Sequence, residues 1–79
     1  MKVKVMFFAG LRELTDKNQM SLELKEGDTV ARLIEVLQTD FPELVSNPLM
    51  VAVNAEYAPR DHKLKDGDEV ALIPPVSGG

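Results

Sequence analysis

The sequence predicts an α+β domain: a mixed sheet with one main helix packed on one face. Two observations carry this prediction. Lys2 to Phe8, Gln19 to Leu24 and Glu69 to Ile73 each divide between two faces with the two-residue period of a strand, one face of each being apolar throughout. Only Val30 to Phe41 carries a helical stripe, with Val30, Leu33, Ile34, Leu37 and Phe41 spaced i, i+3, i+4, i+7, i+11 on one face. The whole is 79 residues and 44% hydrophobic, enough for one small domain with a single core.

Within the first strand Val3, Val5 and Phe7 share a face that should meet the core. Lys2, Lys4, Met6 and Phe8 share the other, which begins charged and ends apolar, leaving Phe8 as a large side chain for the surface. Ala9-Gly10 breaks the alternation, Leu11 to Thr15 is a turn of helix or a loop, and Asp16 to Asn18 is a polar turn. From Gln19 to Leu24 the alternation returns, with Met20, Leu22 and Leu24 inward, so the two strands form a hairpin with a wide loop. Glu26-Gly27-Asp28 turns the chain, and Thr29, with Asp28 as competitor, caps the helix through its hydroxyl. Neither cap has Glu or Gln at the third helical position, so no capping box forms. Pro42 disfavours helical geometry at Phe41 and ends the helix there.

After a connector from Glu43 to Pro48, Leu49 to Asn54 reads as a strand with Leu49, Val51 and Val53 on one face. Ala55 to Lys63 is polar and irregular, with Tyr57 its one large ring and room for an optional short strand. Asp66-Gly67 signals a tight turn into the last strand, where Val70 and Leu72 oppose Ala71 and Ile73. Pro74-Pro75 ends it, because proline donates no hydrogen bond to a ladder. The order strand, strand, helix, strand, optional short strand, strand is that of a β-grasp (ubiquitin-like) roll. The expected division is a β-grasp domain over 1–73 and a flexible tail over 74–79.

Composition excludes several kinds of chemistry. There is no cysteine, hence no disulfide, thiolate metal site or cysteine nucleophile. The lone histidine, His62, lies in a polar stretch between Asp61 and Lys63 and reads as a solvated loop residue rather than a general base. Ser21, Ser46 and Ser77 have no base beside them in sequence, and no phosphate-cradling glycine motif is present. Asp66, Asp68 and Glu69 lack calcium-loop spacing and read as a solvated turn. A net charge of −4 argues against nucleic acid and against anionic membranes. No apolar run approaches a membrane span, and Met1-Lys2 runs directly into the first strand, so the expected address is cytoplasmic. A self-contained catalyst is not expected, whereas a domain this small commonly works with a partner.

What remains is the ending Pro74-Pro75-Val76-Ser77-Gly78-Gly79. Two prolines stiffen the exit from the sheet and two glycines finish the chain without side chains. Such an end fits a narrow active site that a branched residue would not enter. Its reactive group is the Gly79 carboxylate, which activation as an acyl-adenylate would open to a sulfur nucleophile, leaving a thiocarboxylate. The plainer reading is a frayed terminus of small residues.

Leu64-Lys65-Asp66-Gly67-Asp68-Glu69-Val70-Ala71 followed by Leu72-Ile73-Pro74-Pro75-Val76-Ser77-Gly78-Gly79 resembles the C-terminus of the small subunit of molybdopterin synthase, the MoaD family. That family reads L-x-D-G-D-E-V-A, two apolar residues, then P-P-V-x-G-G. Val5 to Leu14 resembles its first strand and F-A-x-[LV]-R-E turn, and Val51-Ala52-Val53-Asn54 its A-V-N strand, so the likeness spans the chain. The resemblance implies a sulfur carrier, the non-catalytic small subunit of a heterotetramer with a large catalytic subunit. It implies that an E1-like adenylyltransferase uses ATP to adenylate Gly79 and that a sulfur-donating enzyme then makes the thiocarboxylate. That group donates sulfur to cyclic pyranopterin monophosphate in molybdenum cofactor biosynthesis. No cofactor is expected on this chain, and no metal.

By the same resemblance Pro74, Pro75, Val76, Ser77 and Gly78 form the inserted tail, and Phe8, Tyr57 and Ile73 take positions used against partners. Phe8 and Ile73 are also the off-core apolar residues of two strands, which parallel pairing would set side by side; the alternative is a minor core under the loops. The chain departs from the family at Leu72-Ile73, where an aromatic pair is frequent, and at Tyr57, where an aliphatic residue is. Arg12-Glu13 matches the family turn and reads first as a structural salt-bridged loop. Alternative functions are a sulfur carrier for thiamine or cysteine synthesis, a ubiquitin-like covalent modifier of lysines, and a plain interaction module.

Overall fold

The computed structural model describes residues 1–46 and 49–74, without the side chains of 45 and 46. Five strands form one mixed sheet: β1 Lys2–Phe7, β2 Gln19–Glu23, β3 Met50–Val53, β4 Glu56–Tyr57 and β5 Glu69–Ile73. Two α-helices, α1 Gly10–Thr15 and α2 Val30–Asp40, and a 3-10 helix, Pro42–Ser46, complete the described chain. The spatial order is β2-β1-β5-β3-β4. β1 and β5 run parallel at the centre, with Val5 opposite Val70 and Phe7 opposite Leu72; every other pairing is antiparallel. This is the β-grasp arrangement, and its optional short strand is β4.

The alternation read from the sequence sets the layers. Val3, Val5 and Phe7 of β1, Val70 and Leu72 of β5, and Val51 and Val53 of β3 are buried beneath α2, which contributes Val30, Leu33 and Leu37. Leu11, Leu24, Leu44, Leu49 and Leu64 close the edges of this core. Phe7 meets Phe41 edge-to-face, centroids 6.3 Å apart. Met20 and Leu22 are half-buried because β2 is an edge strand, covered by the helix layer less completely than β1.

Helix α2 starts where its sequence places it: the Thr29 hydroxyl accepts from the Arg32 N–H at 3.3 Å. The irregular segment after Tyr57 satisfies more of the helix start. The Val30 N–H donates to the His62 carbonyl (3.0 Å), and the Ala31 N–H to the Arg60 carbonyl (2.9 Å). Thr29 and Lys63 form an isolated bridge beside them. His62 thus serves the helix through its backbone carbonyl while its side chain is exposed on the loop. At the other end the Phe41 N–H closes onto Leu37, and Pro42 begins the 3-10 turn within the stretch read as a connector. Leu11 to Thr15 resolves as the one-turn helix α1, closed by the Thr15 hydroxyl donating to the Leu11 carbonyl at 2.9 Å and by Asp16 in a left-handed conformation.

Of the three acidic residues read as a solvated turn, only Asp66 lies in it: Asp68 is almost fully buried and Glu69 opens β5, while the carboxylates of Asp66 and Asp68 serve the backbone. Asp66 accepts from the Lys2 N–H at 2.7 Å, and Asp68 from the Lys65 N–H at 2.8 Å. Among the described residues no helix is long and apolar enough to cross a membrane.

Candidate docking site

The face of the sheet turned away from α2 is open. Because side chains alternate, each strand that sends valine and leucine inward sends a second set outward. On β1 this set runs Lys2, Lys4, Met6 and then Phe8 just past the strand; on β5 it is Glu69, Ala71 and Ile73; on β3 it is Met50 and Ala52; β4 adds Tyr57. The registers put Met6 beside Ala71, Ala71 beside Ala52, Ala52 beside Tyr57, and Met50 beside Ile73. Continuing the β1–β5 register by one step brings Phe8 next to Ile73.

The result is a shallow groove of about 610 Å³ whose apolar floor is Met6, Ala52, Ala71 and Ile73, with Phe8 and Tyr57 on its flanks. Phe8 is 44% exposed and Tyr57 72% exposed, and neither Phe8 nor Ile73 joins the buried core or packs against it. That decides against a minor core under the loops. The polar lining, Asn54 and Glu69, sits at the end away from Phe8.

A compact set of hydrogen bonds holds the β3–β4 hairpin to β5. The Asn54 side chain accepts from the Glu69 N–H (3.0 Å) and donates from Nδ2 to Asp68 Oδ1 (2.9 Å), while the Asn54 N–H donates to the Glu69 carbonyl (2.8 Å). Asp68 is almost fully buried, and its second oxygen takes the Lys65 N–H. The position of Tyr57 is thereby fixed relative to the strand that ends at Ile73.

Three of the residues singled out from the sequence, Phe8, Tyr57 and Ile73, therefore meet in one groove. Pro74 is half-buried directly after β5, at the base of the expected tail. Pro75, Val76, Ser77, Gly78 and Gly79 lie outside the described residues. Arg12 forms no salt bridge among the described residues, so the ion-paired loop expected there is absent: its N–H bonds to the Ala9 carbonyl within α1's first turn and its side chain is exposed. Met50, Ala52 and the Asn54-Ala55 turn were not assigned to this face from the sequence. The alternation with Leu49, Val51 and Val53 held the signal for the first two; for the turn there was none, because Asn-Ala is not a turn pair that composition marks.

A β-grasp body with an open apolar groove beside its last strand defines the class: a ubiquitin-like protein. Within that class the chain belongs to the ThiS family, whose model matches residues 5–79. It is 42% identical to a molybdopterin synthase sulfur carrier subunit of Chlamydomonas reinhardtii, over 100% of both chains. A solved structure of a putative molybdopterin converting factor, subunit 1, from Pyrococcus furiosus superimposes with a TM-score of 0.88 at 35% identity, covering 95% of this chain and 98% of that one. A protein-protein complex of subunits 1 and 2 of molybdopterin-converting factor from Helicobacter pylori contains a chain similar at TM-score 0.72 and 27% identity, over 100% of both.

Proposed function

We propose that this protein is the sulfur carrier subunit of molybdopterin synthase, a sulfur donor rather than a stand-alone catalyst. The observation that carries this reading is the end-to-end match with a relative of that name, 42% identical with no part of either chain left over. The match brings Gly78-Gly79 to the relative's own terminus. In this reading residues 1–73 are the body and 74–79 the reactive tail.

The Gly79 carboxylate attacks the α-phosphorus of ATP on an E1-like enzyme, and pyrophosphate leaves. A sulfur nucleophile from a sulfur-donating enzyme then attacks the acyl carbon, and AMP leaves. With a persulfide as donor, a second thiol cleaves the acyl disulfide and frees the thiocarboxylate. The carbonyl-bound sulfur is a soft nucleophile at neutral pH, which a cysteine-free chain otherwise lacks. The tail enters the large catalytic subunit and gives its sulfur to cyclic pyranopterin monophosphate, with water restoring the carboxylate. This chain's own contribution is delivery: Pro74 and Pro75 stiffen the exit, Val76, Ser77 and Gly78 form the inserted tail, and Phe8, Tyr57 and Ile73 dock the body. The chain itself binds no cofactor, and ATP belongs to the activating partner. The whole sequence takes place in the cytoplasm.

Intact-mass measurement tests the reading. After incubation with ATP, the activating enzyme and a sulfur source, the free protein should gain the mass difference between sulfur and oxygen, and removal of Gly79 should abolish the gain. Conjugates on lysines in place of that exchange would instead make it a covalent modifier. An unchanged mass under conditions that activate a known carrier would overturn the proposal.

A further inference from the structure

The β3–β4 turn departs from what turn chemistry favours. Val53 pairs with Glu56, so Asn54 and Ala55 form a two-residue hairpin loop, and both have positive φ, 50° and 71°. Positive φ at both central residues is the type I′ pattern, which asks for Asn or Asp first and glycine second. Asn54 fits the first position. Ala55 does not fit the second, because its β-carbon crowds the backbone in the left-handed region. Elsewhere the chain takes positive φ with glycine at Gly27 and Gly67 (85° and 86°), and without it at Ala9 and Asp16, which flank α1 (51° and 60°). What separates these sites is location. None of Ala9, Asp16, Gly27 and Gly67 lines the apolar groove, whereas Ala55 is exposed and lines it beside Asn54 and Tyr57.

We infer that Ala55 is a contact residue of the docking surface, held in a backbone conformation glycine would adopt more easily because its methyl group forms part of that surface. The occupant is the large subunit proposed above, so the inference rests on that reading. Reach supports this occupant. Five residues follow Pro74, and a chain of five extends at most ~17 Å. A protein that reacts at Gly79 must therefore come close to Ile73, and Ile73 shares the groove with Ala55. The three hydrogen bonds of Asn54 keep the hairpin in place against the strain, so the methyl is presented at a fixed position.

Strain and contact predict opposite signs for one substitution, which a purely structural role would not. In the full-length chain, Ala55→Gly should raise the thermal midpoint by about 3 °C. It should also weaken binding to the purified large subunit about fivefold, the effect of one buried methyl. Ala55→Ser, which keeps the β-carbon, should bind within about twofold of the parent. Ala9→Gly is the control. Ala9 has φ 51° but does not line the groove, so this variant should gain stability and keep its affinity. Unchanged affinity in Ala55→Gly overturns the contact role, and an unchanged or lower midpoint overturns the strain. Equal weakening in Ala9→Gly would make backbone rigidity, not the methyl, the cause. If Tyr57→Ala and Ala55→Gly both bind like the parent, the groove reading itself fails, a result distinct from failure of Ala55 alone.

Discussion

Leu72 and Ile73 are neighbours on one strand and have opposite environments. Leu72 points under α2 and is fully buried; Ile73 points to the open face and is half-buried beside Phe8 and Met50. The same split runs through Phe7 and Phe8. One face of the sheet is saturated with contacts inside the chain, and the other carries apolar side chains that the chain does not cover. Hydrophobicity alone therefore does not assign a residue to stability: the helix decides which face counts as core, and the remaining face is left for another molecule.

Substitutions on the two faces should separate these roles. The largest stability effect belongs to Leu72→Ala, a loss of about 3 kcal/mol on chemical denaturation, since it leaves a cavity in the packed layer. Asn54→Ala comes next at about 2 kcal/mol, because it leaves Oδ1 of the almost fully buried Asp68 without its donor and the Glu69 N–H without its acceptor. Ile73→Ala, one residue from Leu72, should cost only about 1 kcal/mol in the same assay but weaken large-subunit binding by about tenfold or more in calorimetry. Tyr57→Ala should leave the denaturation midpoint within about 0.5 kcal/mol of the parent and still lose about tenfold in affinity. A Tyr57 variant that unfolds easily, or an Ile73 variant that binds normally, would erase the distinction between the faces.

Much of the fold was legible in the residues. The alternation of Val3, Val5 and Phe7 and the stripe Val30, Leu33, Leu37 state their burial directly, and the Thr29 cap and the Pro42 stop bound α2 within a residue. The Phe8–Ile73 neighbourhood was legible too, once parallel pairing of the end strands was assumed. Other features were not. The carbonyls of Arg60 and His62 that receive the α2 N–H groups belong to main chain, which carries no residue-type signature. The left-handed Ala55 ran against composition, because a tertiary clamp from Asn54 overrode the local preference. The Arg12 expectation failed for a related reason: an exposed ion pair has little energy to hold two long side chains together, so sequence proximity does not guarantee one.

The centre of the sheet joins the first strand to the last, with Lys4 opposite Glu69 and Phe7 opposite Leu72. A nascent chain stalled before Glu69 would have β1 and β3 but not the strand that pairs with both, so its sheet could not close. Closure of the sheet therefore waits until β5 has emerged from the ribosome.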